Sequence, residues 1–242
     1  MDAEVVRNMQ RDWRIIHTEP LDPFQNMAMD EAIFRQYLQD NTPVFRIYGW
    51  SVPSVSLGVS QKPEEVLDLE LCEKENVPFV KRMTGGGMIF HDREITYSLA
   101  CSKEDIGCGD TIAGSFKVVC SFLIDFYMRL GLDAGFAVDR AGGERFGAFS
   151  EFCFAAKEKY DIVIGRKKIG GNAQKRTREA IFQHGSIPIS LDNARAASFL
   201  KKKPAAEDIN ATSLEELLGR CPGREELIPI LKGSFEKTVM AQ

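Results

Sequence analysis

Short apolar stretches that read as strands outnumber helical ones along this chain, and the two kinds do not alternate. This order is the tightest constraint on the fold. A parallel sheet needs a crossover helix between consecutive strands and leaves a strand–helix–strand rhythm. That rhythm is absent, so the sequence predicts an α+β protein with mixed, largely antiparallel sheets packed with helices. Strand candidates lie at residues 13–17, 44–50, 54–58, 78–82, 88–92 and 95–101, the last two read as a hairpin or as neighbouring strands. Residues 160–165, 167–174 and 180–190 read as three antiparallel strands joined by tight turns. Helical spacing marks 23–39, 64–76 and 111–131, the last stopping at Gly131, where a C-terminal cap belongs. A glycine-rich loop follows at 139–149. Ser213 with Glu216 three residues on has capping-box spacing, and opens one of two or three short helices that finish the chain.

At 242 residues the length prior falls between one and two domains. No linker, repeat or low-complexity segment divides the chain. The reading is a single domain over 1–242, with a helical tail over about 192–242. Net charge is −4, from 31 basic and 35 acidic side chains, which argues against a general nucleic-acid binder. No apolar run approaches the roughly 20 residues of a spanning helix, and the charged N-terminus lacks a signal peptide's apolar core. A cytoplasmic protein without a membrane partner is expected. Its six cysteines, Cys72, Cys101, Cys108, Cys120, Cys153 and Cys221, form no C-x2-C pair and have no zinc-ligand spacing. No metal site is expected, and most of these thiols should fill core.

Three segments carry chemistry. Residues 81–92, KRMTGGGMIFHD, set three glycines between two apolar stretches. Glycine loses the most backbone entropy on ordering, so such a run needs a reason. A hairpin turn is one; the other is a loop whose bare backbone approaches a ligand, with Arg82 and His91 at its edges. No Lys-Ser/Thr follows, so the run is not a phosphate-binding Walker loop. In residues 165–176, GRKKIGGNAQKR, a strand lysine stands just before Gly170 and Gly171. Its amine beside accessible backbone donors would suit a carboxylate, a phosphate or a carbonyl gaining negative charge. A solvated basic hairpin is the plainer alternative. Cys153 lies between aromatic residues and close in sequence to that lysine. It is either a buried core thiol or a nucleophile favoured by nearby cations.

In this order the segments resemble the lipoate/octanoate protein ligase and transferase superfamily, which includes the biotin ligases. The likeness covers about residues 24–190. It rests on NMAMDEA (26–32), the run through Arg46, Tyr48 and Trp50, SVSLGVSQK (54–62), RMTGGGMIFHDREITYS (82–98) and KIGGNAQKR (168–176). The resemblance implies a biotin/lipoate ligase catalytic-domain-like fold with an acyl pocket behind the triple-glycine loop. It implies that Lys168 contacts the acyl carbonyl or acyl-adenylate. Arg82, Gly85, Gly86, Gly87 and His91 would bind substrate at the head-group end, with Asn172 and Ala173 lining the pocket from the opposite strand.

The stretch from Cys153 to Ser190 is similar to the cysteine-dependent octanoyltransferase branch, where a cysteine followed by Phe precedes Tyr-Asp/Glu-Ile. Here Cys153 precedes Tyr160, Asp161 and Ile162. Many of those transferases carry Arg where this chain has Gly87, as ligases do. The expected function is octanoyl or lipoyl transfer through a Cys153 thioester, from octanoyl–acyl carrier protein to the lysine of a lipoyl-domain protein. That acceptor would be a glycine cleavage H protein or a 2-oxoacid dehydrogenase E2. No cofactor would be required. The alternative is an ATP-dependent lipoate-protein ligase, which would need ATP and Mg. A biotin ligase and a non-catalytic acyl-binding relative are further alternatives, the latter opposed by the presence of both Cys153 and Lys168.

Overall fold

The computed structural model describes residues 12–109, 111–140, 152–153, 159–205 and 209–241; most of the expected 139–149 loop lies outside them. The strands are β1 (Arg14–His17), β2 (Val44–Tyr48), β3 (Ser54–Leu57), β4 (Phe79–Lys81), β5 (Ile89–His91), β6 (Glu94–Cys101), β7 (Ala134–Phe136), β8 (Ile162–Ile164), β9 (Lys167–Ile169), β10 (Gly171–Arg176), β11 (Ile181–Pro188) and β12 (Ala211–Thr212). The helices are α1 (Pro23–Asp40), α2 (Pro63–Val66), α3 (Leu69–Lys74), α4 (Ile112–Val119), α5 (Ser121–Arg129), α6 (Ala137–Arg140), α7 (Asn193–Ser198), α8 (Leu214–Leu218) and α9 (Arg224–Phe235).

Three mixed sheets result, ordered β1-β2-β6-β11-β10, β12-β9-β8-β7 and β4-β3-β5. Each holds one parallel pair, β1 with β2, β12 with β9 and β3 with β4, beside antiparallel neighbours. The expected α+β fold of mixed, largely antiparallel sheets is the one found.

Three local readings are corrected. Residues 88–92 and 95–101 do not form a hairpin. β5 pairs with β3 in the small sheet, whereas β6 lies between β2 and β11, with all eight of its residues buried. Residues 167–174 are not one strand. Gly170 has φ +77°, a left-handed conformation that costs glycine little, and the chain there leaves one sheet for another. Residues 111–131 form two helices broken at Cys120. The Ser121 hydroxyl donates to the Val118 carbonyl at 2.7 Å, a local bond that competes with the helical ladder.

Helix α1 starts where the Asp22 side chain accepts from the Gln25 N–H, with Pro23 at its first position. Its buried face mixes Ile33, Phe34 and Tyr37 with Asn26 and Asp30, because that face receives the fully buried Arg46 of β2. Arg46 donates to Asp30 Oδ1 at 2.8 Å and to Asn26 Oδ1 at 2.7 Å. This buried ion pair fixes the helix to the sheet. On the sheet's other side, α5 and α9 cover the main core, where Phe45 and Phe235 stack at 3.8 Å. A second core of Val55, Leu57, Met88, Phe90, Phe152 and Phe199 lies against the small sheet. Among the described residues no helix is long and apolar enough to cross a membrane.

Candidate active site

β9 alternates, so Lys167 faces solvent and Lys168 faces inward. Lys167 pairs on the surface with Glu216. The Lys168 side chain is only 4% exposed, and its ammonium is held by Asp161 Oδ2 at 2.8 Å. The same Nζ donates to the Cys153 carbonyl at 3.0 Å and lies 3.7 Å from Cys153 Sγ. Cys153 is fixed from the other side, its N–H donating to the Met88 carbonyl at 3.1 Å just after the triple glycine. Gly171 is bare where the sulfur approaches: a Cβ there would come within 2.8 Å of Sγ. Lysine, thiol and glycine loop therefore meet at one point, drawn from three separate stretches of chain.

Arg82 closes the loop over this point. Its Nη2 donates to the Gly85 and Gly87 carbonyls at 2.7 Å each, and its Nη1 to the Ser56 carbonyl at 3.0 Å. Gly86 sits at φ +90°, which an L side chain rarely adopts. A Cβ at Gly58 would overlap the Gly86 carbonyl oxygen, whereas one at Gly85 meets open space. The loop's glycines thus serve two ends: close backbone packing at Gly86, and a bare wall at Gly85.

Charge follows the same geometry. Lys168 is balanced by Asp161. Arg82 is buried, and among the described residues its hydrogen-bond partners are carbonyls and a hydroxyl with no carboxylate. Burial pulls Arg82 down to about 10, opposed by the charge of Cys153. Arg82 therefore adds a second buried cation, besides Lys168, to the surroundings of Cys153. Burial pushes the thiols of Cys72, Cys101 and Cys108 up, and that of Cys120 up to about 12. Among the described residues, no group of three or more His, Cys, Asp or Glu could hold a metal ion.

The family model of the lipoyl protein ligase A/B catalytic domain matches residues 22–236. The chain belongs to that family. Octanoyltransferase LipM of Geobacillus kaustophilus is 34% identical over 237 residues, which cover 93% of this chain and 85% of the relative. Octanoyltransferase LipM of Bacillus subtilis is 36% identical over 189 residues, covering 76% and 68% respectively. A crystal structure of lipoate-protein ligase A bound with ATP superposes with a TM-score of 0.76 at 26% identity, over 94% of this chain and 85% of that one. The chain is an acyltransferase of the family's octanoyltransferase branch.

Measured against this family member's expected site, the structure brings together Cys153, Lys168, Arg82, Gly85, Gly86 and Gly87. His91 is elsewhere. Its ring stacks on Trp50 at 3.9 Å, its Nδ1 lies 3.0 Å from Glu94 Oε1, and its Nε2 lies 2.7 Å from Ser56 Oγ. With both nitrogens engaged, it stands behind Arg82 through the Ser56 hydroxyl that both contact. Asn172 and Ala173, neighbours on β10, face opposite ways. Asn172 accepts from Tyr97 on the face covered by α5 and α9, which leaves Ala173 facing the glycine-loop side. Asp161 was missed, and the signal for it was available. With a tight turn at 165–166, Val163 pairs with Lys168, which puts Asp161 diagonally across on the same face.

Proposed function

We propose that this acyltransferase carries an octanoyl group through Cys153. The Cys153 thiolate attacks the carbonyl carbon of octanoyl–acyl carrier protein. The new C–S bond forms as the carrier's C–S bond breaks, and the carrier thiol leaves with the proton that Cys153 gave up. A lipoyl-domain lysine, on an E2 or glycine cleavage H protein, then attacks with its free amine. The amide bond forms, the bond to Cys153 breaks, and the proton lost by the amine returns to the cysteine. Thioester exchange is nearly balanced in energy, so catalysis needs thiolate formation, positioning and an oxyanion donor more than driving force.

The observation that carries the reading is the Lys168 ammonium 3.7 Å from Cys153 Sγ, fixed by Asp161. Placed there, Lys168 stabilises negative charge on sulfur and can donate to the developing oxyanion. Arg82 supplies a second cation, and Gly85 offers backbone without a side chain where the head group would lie. No cofactor takes part.

The test is transfer to a purified lipoyl domain from octanoyl–acyl carrier protein in the absence of ATP, read by the mass of the domain. The reading expects octanoylated domain. Transfer only from free octanoate or lipoate, dependent on ATP and accompanied by pyrophosphate, would assign the site to a ligase in its place. In that case Arg82 and Lys168 would face an acyl phosphate, and Cys153 would be part of the wall.

A further inference from the structure

We propose that His184, backed by Asp30, is the positioning residue that sets the triple-glycine loop over Cys153, acting through Thr84. The proposal rests on the acyl-transfer reading for its consequence, though not for its geometry. Thr84 stands in the middle of the loop, buried, with Oγ1 2.7 Å from His184 Nε2. His184 lies on β11, between β6 and the edge strand β10 of the five-stranded sheet, and its Nδ1 faces Asp30 Oδ2 at 3.6 Å. Asp30 is itself held by Arg46, by Ser98 and by the Tyr48 hydroxyl.

The direction of each bond follows from what each group can give. Burial lowers His184 below the usual imidazole range, with Arg82 and His91 adding to that and Asp30 opposing it, so the ring is neutral and carries one N–H. Burial would raise Asp30, but His184, Arg46 and Ser98 hold it below the usual carboxylate range, so it accepts only. The single N–H is therefore assigned to Nδ1, toward the carboxylate, and Nε2 keeps a lone pair for the Thr84 hydroxyl. On its main chain Thr84 is gripped as well, its carbonyl accepting from the Val59 N–H at 2.8 Å.

The three glycines that follow have no side chains with which to hold themselves. Their position comes from the residues around them: Met83 packs against the large sheet's Val44, Ala100 and Phe182, Arg82 grips the glycine carbonyls, and Thr84 ties the loop by a side-chain hydrogen bond to His184 on β11. If the Thr84 bond is lost, the carbonyls of Gly85 and Gly87 no longer fix Arg82 Nη2, and the Arg82 guanidinium shifts with them.

Two rates test this. One is alkylation of Cys153 by iodoacetamide, followed by peptide mass, which reports on the loop whether or not the protein transfers octanoate. The other is octanoylation from octanoyl–acyl carrier protein. Thr84→Val and His184→Leu are each expected to slow both rates by roughly tenfold or more, as a displacement of about 1 Å in a preorganised site can. The double variant should be no slower than the slower single one, because both remove the same bond. Thr84→Ser and His184→Gln, which keep a donor and an acceptor in reach, should restore rates near the parent's. Thr84→Val keeps the side-chain volume, so it carries the test even where His184→Leu does not fold. Parental alkylation in Thr84→Val, or full additivity in the double variant, would overturn the proposal. A parent that alkylates normally but accepts no octanoyl group would overturn the acyl-transfer reading and leave the alkylation ratios to decide this one.

Discussion

Lys168 occupies a position where a lysine is costly unless paired. The sequence shows it as one of several cations around a turn, and parity along the strand separates it from Lys167. Its burial is not legible there, because it depends on the long-range pairing of β9 with β12, just before which the Asn210 carbonyl accepts from the Lys168 N–H. A surface-like lysine could be removed without harm to the fold, but this one cannot. Lys168→Ala removes the cation that faces a buried carboxylate at 2.8 Å, and is expected to cost about 3–5 kcal/mol of unfolding free energy in denaturant titration. Lys168→Met combined with Asp161→Asn removes both charges and should regain most of that stability. Octanoyl transfer should stay at least about a hundredfold down in both variants, since the oxyanion donor is gone. Recovery of activity together with stability in the double variant would mean that Lys168 is structural only. Lys167→Ala, on the outer face, should leave transfer near the parental rate.

At the scale of elements, the loop of residues 82–87 shows why a motif can be recognised before its parts are understood. Three consecutive glycines announce close backbone approach, yet not to what. Gly86 turns out to meet Gly58 and Arg82, whereas the α-carbon of Gly85 faces open space. The two positions should therefore fail differently. Gly86→Ala must adopt an unfavourable left-handed backbone, at about 1–2 kcal/mol, and should lower Tm along with activity. Gly85→Val, with room for its side chain, should keep Tm within a degree or two of the parent, as surface substitutions do, and yet lose most acylation of Cys153. An unchanged acylation rate in a stable Gly85→Val protein would remove this loop from the substrate wall. The missed breaks at Gly170 and Cys120 have a related cause. Periodicity reads continuous apolar character, but a change of sheet or a helix break is decided by one residue's backbone angle or one hydroxyl.

For the whole molecule, the mixture of strands and helices was legible from their order, whereas the pairing of the sheets was not. Long-range pairs such as β6 with β11, and β9 with β12, leave no local trace. The C-terminal helices were expected to finish the chain as a tail. They also enter the main core, where Phe235 packs against Trp13, Phe45 and Phe122. Phe235→Ala should accordingly cost about 3–5 kcal/mol in denaturant unfolding, with the site chemistry affected only through stability. A loss below about 1 kcal/mol would show that this helix does not share the core. The six cysteines bring the scales together. Burial raises four of them, Cys221 is exposed, and Cys153 lies beside Lys168 and, through Met88, the end of the glycine loop. Intact mass after mixing with octanoyl–acyl carrier protein, without ATP, tests that distinction most directly. The account predicts one octanoyl adduct per chain, released by neutral hydroxylamine and absent from Cys153→Ala, and it is contradicted if no adduct forms or if Cys153→Ala still acquires one.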